Sequence, residues 1–444
     1  MTAEATIDSM PFMRVIRLID RCYFLLLSLS AITMYGIWFY WTTEPGYFDR
    51  SWMDFGKFYS TGKIIRSADR ERLYDPLFQR DQLAKFVNPD VLSRIEIVNG
   101  RAEFPTGFVE HPPHFCMFFA PFSLLGPREA LWLYSAIMLI IGVASLRWLT
   151  RVIKTLNLQQ TIVLAFGAAA SFPGRHALIM GQPAWLLVAF LAAYMASWFS
   201  KNERLAGIVL ALSTIKVQYP IFFAIPAIFM NKKKLVLWAF LCGCLLLLAC
   251  VLVVGMQNVL SYVPMISRMN TQPTFANCDT SMPSLRGVIA NFFGISAGIK
   301  AANPSLIFEA LAVSLLWWRT SKTGRDHRWA FAATVLLVLL FSPHIFRYDS
   351  LILVLPVALT LSSLSLAPPS RESMDAATYV PFLTWRYILI TYPITSTLLK
   401  LLLTFEVLGL VEFISNLFLL LLAIRLWFLS DRRHEEQLPA DAVS

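Results

Sequence analysis

Apolar residues recur along the whole chain in runs of about twenty, separated by polar or cationic joints. As a helix, such a run matches the ~30 Å hydrocarbon core of a bilayer, so each one predicts a transmembrane helix. The first is expected over about 22–41, followed by a polar segment, 42–112. Residues 114–125 are apolar but short and broken by Pro121. They read as a helix lying at the interface rather than a crossing, which extends the first outer segment over 42–127. Further spans are expected near 128–148, 160–172 and 183–199, the last two joined by the polar connector 173–182. The apolar stretch 205–230 is interrupted by Lys216, Gln218 and Pro220 and reads as two short spans. A seventh run covers 235–254, and a second polar segment occupies 256–303. Runs near 305–318 and 329–341, one ending near 364, and two over 386–404 and 407–428 bring the total to twelve. The fold class is therefore an all-α polytopic membrane protein: one integral domain, 1–444, whose long first outer loop carries interfacial helices.

Within that loop, Ser51 to Pro76 has a helical pattern of its own. Phe55, Phe58, Tyr59, Gly62 and Ile65 share one face, with Lys57, Lys63 and Arg66 off it. Such a helix is expected to lie on the membrane surface, apolar side down. Asp54 stands at its head.

Composition agrees with the pattern: 57% of the 444 residues are hydrophobic and 15% charged, against roughly 25% charged in soluble chains. The net charge of +10 sits in groups at span ends, which points to anionic headgroups and away from nucleic acid. With the N-terminus inside and twelve spans alternating, the groups at Arg147–Lys154, Lys201–Arg204, Lys232–Lys234, Arg319–Arg328, Arg371 and Arg425–Arg433 all fall inside. Both termini are then cytoplasmic, 1–21 and 429–444, and the short outer connectors carry one cation each: Arg175, Lys216 and Arg347. No cleavable signal peptide is apparent, because the first apolar run is too long and lacks a small-residue cleavage site. The six cysteines show neither metal-type spacing nor a disulfide framework.

This topology gathers the non-repetitive polar clusters at one face. Asp54 is either a helix N-cap or a reactive carboxylate; no Glu or Gln follows three residues later to make a capping box. Lys216 lies between two half-length apolar helices with no carboxylate within a turn. It either snorkels to the headgroups or holds an anion such as a lipid phosphate. Arg175 and His176, before Gly181-Gln182, could equally form an ordinary polar turn. His344 could be a satisfied loop histidine, and Arg347 and Asp349 could pair with each other. A carboxylate that takes a proton from an acceptor hydroxyl, beside cations that stabilise a departing phosphate, are the parts of a transferase using a lipid-phosphate sugar. No glycine fingerprint for a nucleotide, Walker motif or zinc spacing is present, so neither a nucleotide-sugar donor nor a bound cofactor or metal is called for.

These residues resemble glycosyltransferase family 87, the polyprenyl-phosphate-sugar-dependent membrane enzymes of GT-C type. The resemblance lies in Asp54-Phe55 with Tyr59 and Leu73-Tyr74-Asp75-Pro76, in His111-Pro112-Pro113 with Pro121, and in Gly181-Gln182. It continues in Ala206-Gly207 with Lys216 and Pro220, and in Ser342-Pro343 with Tyr348-Asp349. It spans roughly 50–355. It implies a GT-C-like fold in the bacterial inner membrane and a site on the periplasmic side. It further implies inverting transfer of a hexose, mannose being one candidate, from a polyprenyl-phosphate donor to a lipid or glycan acceptor. Asp54 would be the general base. Lys216, with Arg175 and Arg347, would hold the donor phosphate, and Tyr59, Gln182, His344 and Asp349 would line the sugar and acceptor pocket. Family members often carry histidine-rich sequence after the Ser-Pro pair; here His344 is followed by Phe-Arg-Tyr-Asp. The alternative class is a lipid or solute transporter or flippase, which needs no single acid and is favoured by paired half-sequences; no internal repeat is apparent.

Overall fold

Inside lipid a backbone satisfies its own polar groups most simply as a helix, and helices are what this chain forms. The structure is a computed structural model that describes residues 54–86, 111–154, 156–271, 282–360 and 405–429, with isolated positions at 29, 32, 33, 36, 40, 109 and 280. The expected spans at 22–41 and 386–404 lie outside the described residues. Among those described there is no strand.

The first polar segment contributes α1 (Asp54–Arg66), α2 (Pro76–Leu83) and α3 (Pro113–Phe118). Asp75 caps α2 through the amide of Phe78, and Pro76 opens it. After α3, only a 3-10 turn at Phe122–Leu124 precedes α4 (Pro127–Val152). Residues 114–125 therefore do not cross, in line with the break expected at Pro121.

Among the described residues, four helices are long and apolar enough to span a membrane. They are α4, α10 (Lys233–Val254), α13 (Ile295–Thr323) and α16 (Phe405–Leu429). Between α4 and α10 the chain uses shorter pieces. Helices α5 (Leu158–Ala170) and α6 (Phe172–Ile179) form a pair bent by 69°. Ser171 ends α5 and caps α6 through the Gly174 amide, and Gly174 lies directly against the Ala168 backbone, where no side chain would fit. Then come α7 (Ala184–Phe199), α8 (Glu203–Leu212) and α9 (Gln218–Phe229). At 1.5 Å per residue, α8 and α9 rise about 15 and 18 Å, so neither crosses a ~30 Å core alone. They form a hairpin broken at Ser213–Val217. Gly207 of α8 sits against the backbone of α10 at Leu235 and Ala239, the small-residue contact that brings membrane helices close. Leu237, Phe240, Leu245, Leu248 and Leu252 of α10 are exposed, as a lipid-facing helix requires.

Beyond α10 lie α11 (Met256–Thr271), α12 (Leu285–Phe293) and α13, then α14 (His327–Phe341), a 3-10 turn at Arg347–Leu353, and α15 (Val354–Thr360). Two expectations change here. The segment 256–303 is largely helical, and the following span begins at Ile295 rather than 305; Ser296, Lys300 and Asn303 are carried inside α13. Of the twelve spans expected, several of them short, the described residues supply four helices long and apolar enough to cross, five if the bent pair counts as one.

The third correction concerns α1. Ten of its thirteen residues are buried, and what buries them is protein. Phe58 meets the rings of Phe115 and Phe119, Phe55 meets Tyr134 of α4, and Gly62 lies on the Phe119 backbone. A helix amphipathic enough to float on a membrane is instead docked among the spans. The two polar segments also touch: Asn258 of α11 donates to the Arg70 carbonyl at 2.9 Å, and Tyr262 packs on Tyr74.

Candidate functional site

The break between α8 and α9 builds the centre of the site. Ser213–Ile215 is a 3-10 turn, after which Lys216 becomes extended, so the chain leaves one short helix and enters the next with Lys216 at the tip. The Lys216 ammonium forms a buried ion pair with Asp349 of the Arg347–Leu353 turn and lies 4.8 Å from the centre of the Tyr348 ring. The other Asp349 oxygen accepts from the Phe346 amide at 3.0 Å. Lys216 therefore has a carboxylate partner 133 residues away, far beyond the turn within which the sequence offers none. Asp349 is taken by Lys216 and not by Arg347, which is buried and lies within electrostatic reach of Glu412 on α16.

Asp54 is positioned by α1 and by the turn after α6. The Phe55 amide donates to the Met180 carbonyl at 2.8 Å. Gly181 has φ +65°, and a Cβ there would come within 2.7 Å of the Phe55 ring. This turn directs the Gln182 side-chain amide onto one Asp54 oxygen, while Lys57, one turn along α1, holds the other at 2.8 Å. Asp54 is 8% exposed and Gln182 4%.

Two histidines join these halves. His111, just before Pro112-Pro113, is buried with its ring against Phe58 and Phe115. Lys216, Lys57 and His114 are within electrostatic reach of it. His114 shares a 3.2 Å hydrogen bond with Thr214, in the α8–α9 break. Burial, then Lys216 and Lys57, holds His111 well below the ordinary imidazole range, and burial pushes His114 down to about 4. Both rings are neutral near pH 7.

The remaining candidates fall at different distances from this hub. His344 joins it: its carbonyl accepts from Gln218 at 3.2 Å, and its ring lies within reach of Arg286 and Lys216. Arg175 is on α6, which packs on the Arg347–Leu353 turn, and its neighbour His176 stacks on Tyr348. Tyr59 does not join: its hydroxyl donates to the Leu125 carbonyl at 2.7 Å, and its ring packs on Phe86. Four participants escaped the sequence reading. Lys57 could have been found from its i,i+3 spacing to Asp54, and Glu309 as an acid inside a span; Glu309 accepts from Ser342 at 2.9 Å. Arg286, whose guanidinium donates to the Pro343 carbonyl, and Thr214 carry no local signal.

The hub is built mostly of paired charges, and it leaves polar atoms without partners. Gln182 Oε1, both ring nitrogens of His111 and the Tyr219 hydroxyl are buried and make no hydrogen bond. Tyr219 lies within electrostatic reach of Asp349 and Glu309. Buried polar groups are nearly always satisfied, each orphan costing about 1–3 kcal/mol. Several orphans around two ion pairs are expected where a polar ligand completes the set. Among the described residues, no cluster of three or more His, Cys, Asp or Glu could hold a metal.

The chain matches glycosyltransferase family 87 over residues 108–343. That is more than half its length, and the chain belongs to this family. It is thus a membrane glycosyltransferase, with a sugar donor and an acceptor as substrates. The matched stretch holds His111, Arg175, Gln182 and Lys216. Asp54, His344, Arg347 and Asp349 lie outside it and reach the same hub through the folded chain. No curated protein and no solved structure gives a significant match.

Proposed function

We propose that this member of glycosyltransferase family 87 transfers a hexose from a polyprenyl-phosphate donor to a lipid or glycan hydroxyl. The reaction takes place at the periplasmic face of the bacterial inner membrane, and both termini are cytoplasmic. Asp54 is the general base that takes the acceptor proton as the hydroxyl attacks the anomeric carbon. The bond to the polyprenyl phosphate breaks, and that phosphate leaves with the electron pair. Lys216, Arg175 and Arg347 stabilise the growing negative charge, and Gln182, His344 and Asp349 line the sugar and acceptor pocket. Tyr59 drops to a packing role because its hydroxyl is spent on Leu125.

What supports this reading is that Asp54, held by Gln182 and Lys57, and Lys216, paired with Asp349, each have orphaned buried polar atoms beside them. Asp54 accepts from the Gln182 amide and pairs with Lys57, so its lone pairs are aimed rather than free to rotate. The test is to incubate the purified protein with a panel of lipid-linked sugars and measure release of polyprenyl phosphate. Wild type is expected to turn over at least one donor. Asp54→Asn, which keeps the Gln182 contact geometry, is expected to stay folded and lose about 10²–10⁴-fold in rate. Near-normal transfer by Asp54→Asn would remove it as the base.

A further inference from the structure

The buried ring of His111 has no role in the mechanism above, yet it is placed as a ligand group would be. The ring is fixed by Phe58, at 5.0 Å and nearly edge-on, and by Phe115 at 4.5 Å. The backbone is fixed too: the His111 carbonyl accepts from the Tyr74 hydroxyl at 2.7 Å, and Pro112 and Pro113 follow. If packing were the only task, phenylalanine would fill this aromatic nest without leaving polar atoms dry. Instead both ring nitrogens are buried and unbonded, a state that costs free energy until something hydrogen-bonds to them.

The surroundings say what that something is. The ionisable groups that reach the ring are Lys216, Lys57 and His114, two ammonium groups and a neutral imidazole. Their field at the ring is positive, so an anion is favoured there over a neutral hydroxyl. The two lysines are already matched by Asp349 and Asp54, so an arriving anion needs donors that bring no carboxylate with them. A neutral imidazole supplies one N–H of this kind without the desolvation cost of a further buried charge.

We propose that His111 is a donor-binding residue, its ring N–H hydrogen-bonding a non-bridging phosphate oxygen of the polyprenyl-phosphate sugar and of the polyprenyl phosphate that leaves. This rests on the lipid-phosphate reading of the site. The aromatic nest sets the ring plane, and the neighbouring lysines make the anion the preferred partner. The bond strengthens as charge grows on the leaving phosphate, and that increment lowers the barrier beyond holding the donor.

The test uses the full chain in lipid nanodiscs with two probes, citronellyl phosphate and citronellol, which share a prenyl chain and differ in the phosphate. Wild type is expected to prefer the phosphate. His111→Phe keeps the stacking and removes both nitrogens. It is expected to bind citronellyl phosphate roughly ten- to a hundredfold more weakly, the range for losing a hydrogen bond to a charged group, and citronellol as before. His111→Gln or His111→Asn, which place an amide N–H near the ε or δ position, are expected to restore part of the preference in one case. Unchanged phosphate affinity in His111→Phe overturns the assignment, as does its loss in all three variants together with citronellol binding, which marks a packing role. If His111→Phe does not fold, the Gln and Asn variants decide: equal, wild-type affinity in both overturns it. A wild type that binds citronellol as tightly as citronellyl phosphate overturns the lipid-phosphate reading instead.

Discussion

The Lys216–Asp349 pair offers a test in which stability and ligand binding separate. Asp349 is fully buried and Lys216 is 7% exposed, so removing one partner strands the other away from water. Breaking a buried pair in this way costs about 3–5 kcal/mol, whereas replacing both partners with neutral groups is often tolerated. Lys216→Met leaves the Asp349 carboxylate with the Phe346 amide alone. Asp349→Asn leaves the ammonium with the Tyr348 ring, which recovers about 0.5–2 kcal/mol. Lys216→Met is therefore expected to be the more damaging single change. The double variant should lie closer to wild type than either single, a coupling of about 2 kcal/mol or more. In thermal unfolding of the purified protein, the single changes should lower Tm by on the order of 5 °C or more, and the double variant should recover most of it. Donor binding then reports on the second role. A double variant that is stable but has lost affinity for a prenyl phosphate assigns Lys216 to the phosphate as well as to the fold. Single variants within 1 kcal/mol of wild type would refute the buried pair itself.

Two further outcomes follow from the geometry. Gly181→Ala combines a left-handed backbone, costing roughly 1–2 kcal/mol for a residue with a Cβ, with a contact into Phe55 that must shift. Since an ångström of misplacement at a reacting centre is worth ~10²-fold, the variant should lose most of its transfer activity although no reactive group is removed; wild-type turnover would show that the Gly181 turn does not set Asp54. For orientation, Asp69→Cys is expected to react with an impermeant thiol reagent on intact cells, and Lys233→Cys and Lys322→Cys only after permeabilisation; the reverse labelling would move the site to the cytoplasmic face.

What the sequence disclosed, and what it hid, divides by the range of the interactions. Hydrophobic periodicity located α4, α10, α14 and the break at Lys216 closely, because a helix in lipid declares itself through its own residues. It misjudged α1, since an apolar stripe with flanking lysines looks the same whether it faces lipid or Phe115, Phe119 and Tyr134. It placed the start of α13 late because Ser296 and Lys300 read as loop residues, although a helix end emerging from the membrane accommodates them. The motif residues Asp54, Gln182, Lys216 and Asp349 were legible one by one, but the pairing between them was not. Gln182 meets Asp54 across 128 residues and Lys216 meets Asp349 across 133, and no local pattern encodes such partners. His111 stood in the sequence as part of a Pro-Pro motif; its unbonded nitrogens exist only once Phe58 and Phe115 enclose it.

Helix length explains why so many polar groups meet where they do. The far ends of α8 and α9 come together at one face, where Lys232 lies 3.3 Å from Glu203. From there each helix climbs only about half of a ~30 Å core before the chain breaks, so Lys216 is lifted to an intermediate depth. An ammonium at that depth is costly unless paired, and Asp349 meets it on a turn where α14 has likewise ended early. The first polar segment packs inward against these elements, with α1 buried among helices. Asp54 and its Gln182 contact come with it, and Lys216 is within electrostatic reach of His111. On the proposed reaction, two short helices and one docked segment would let the hub join a membrane-held donor to an acceptor hydroxyl.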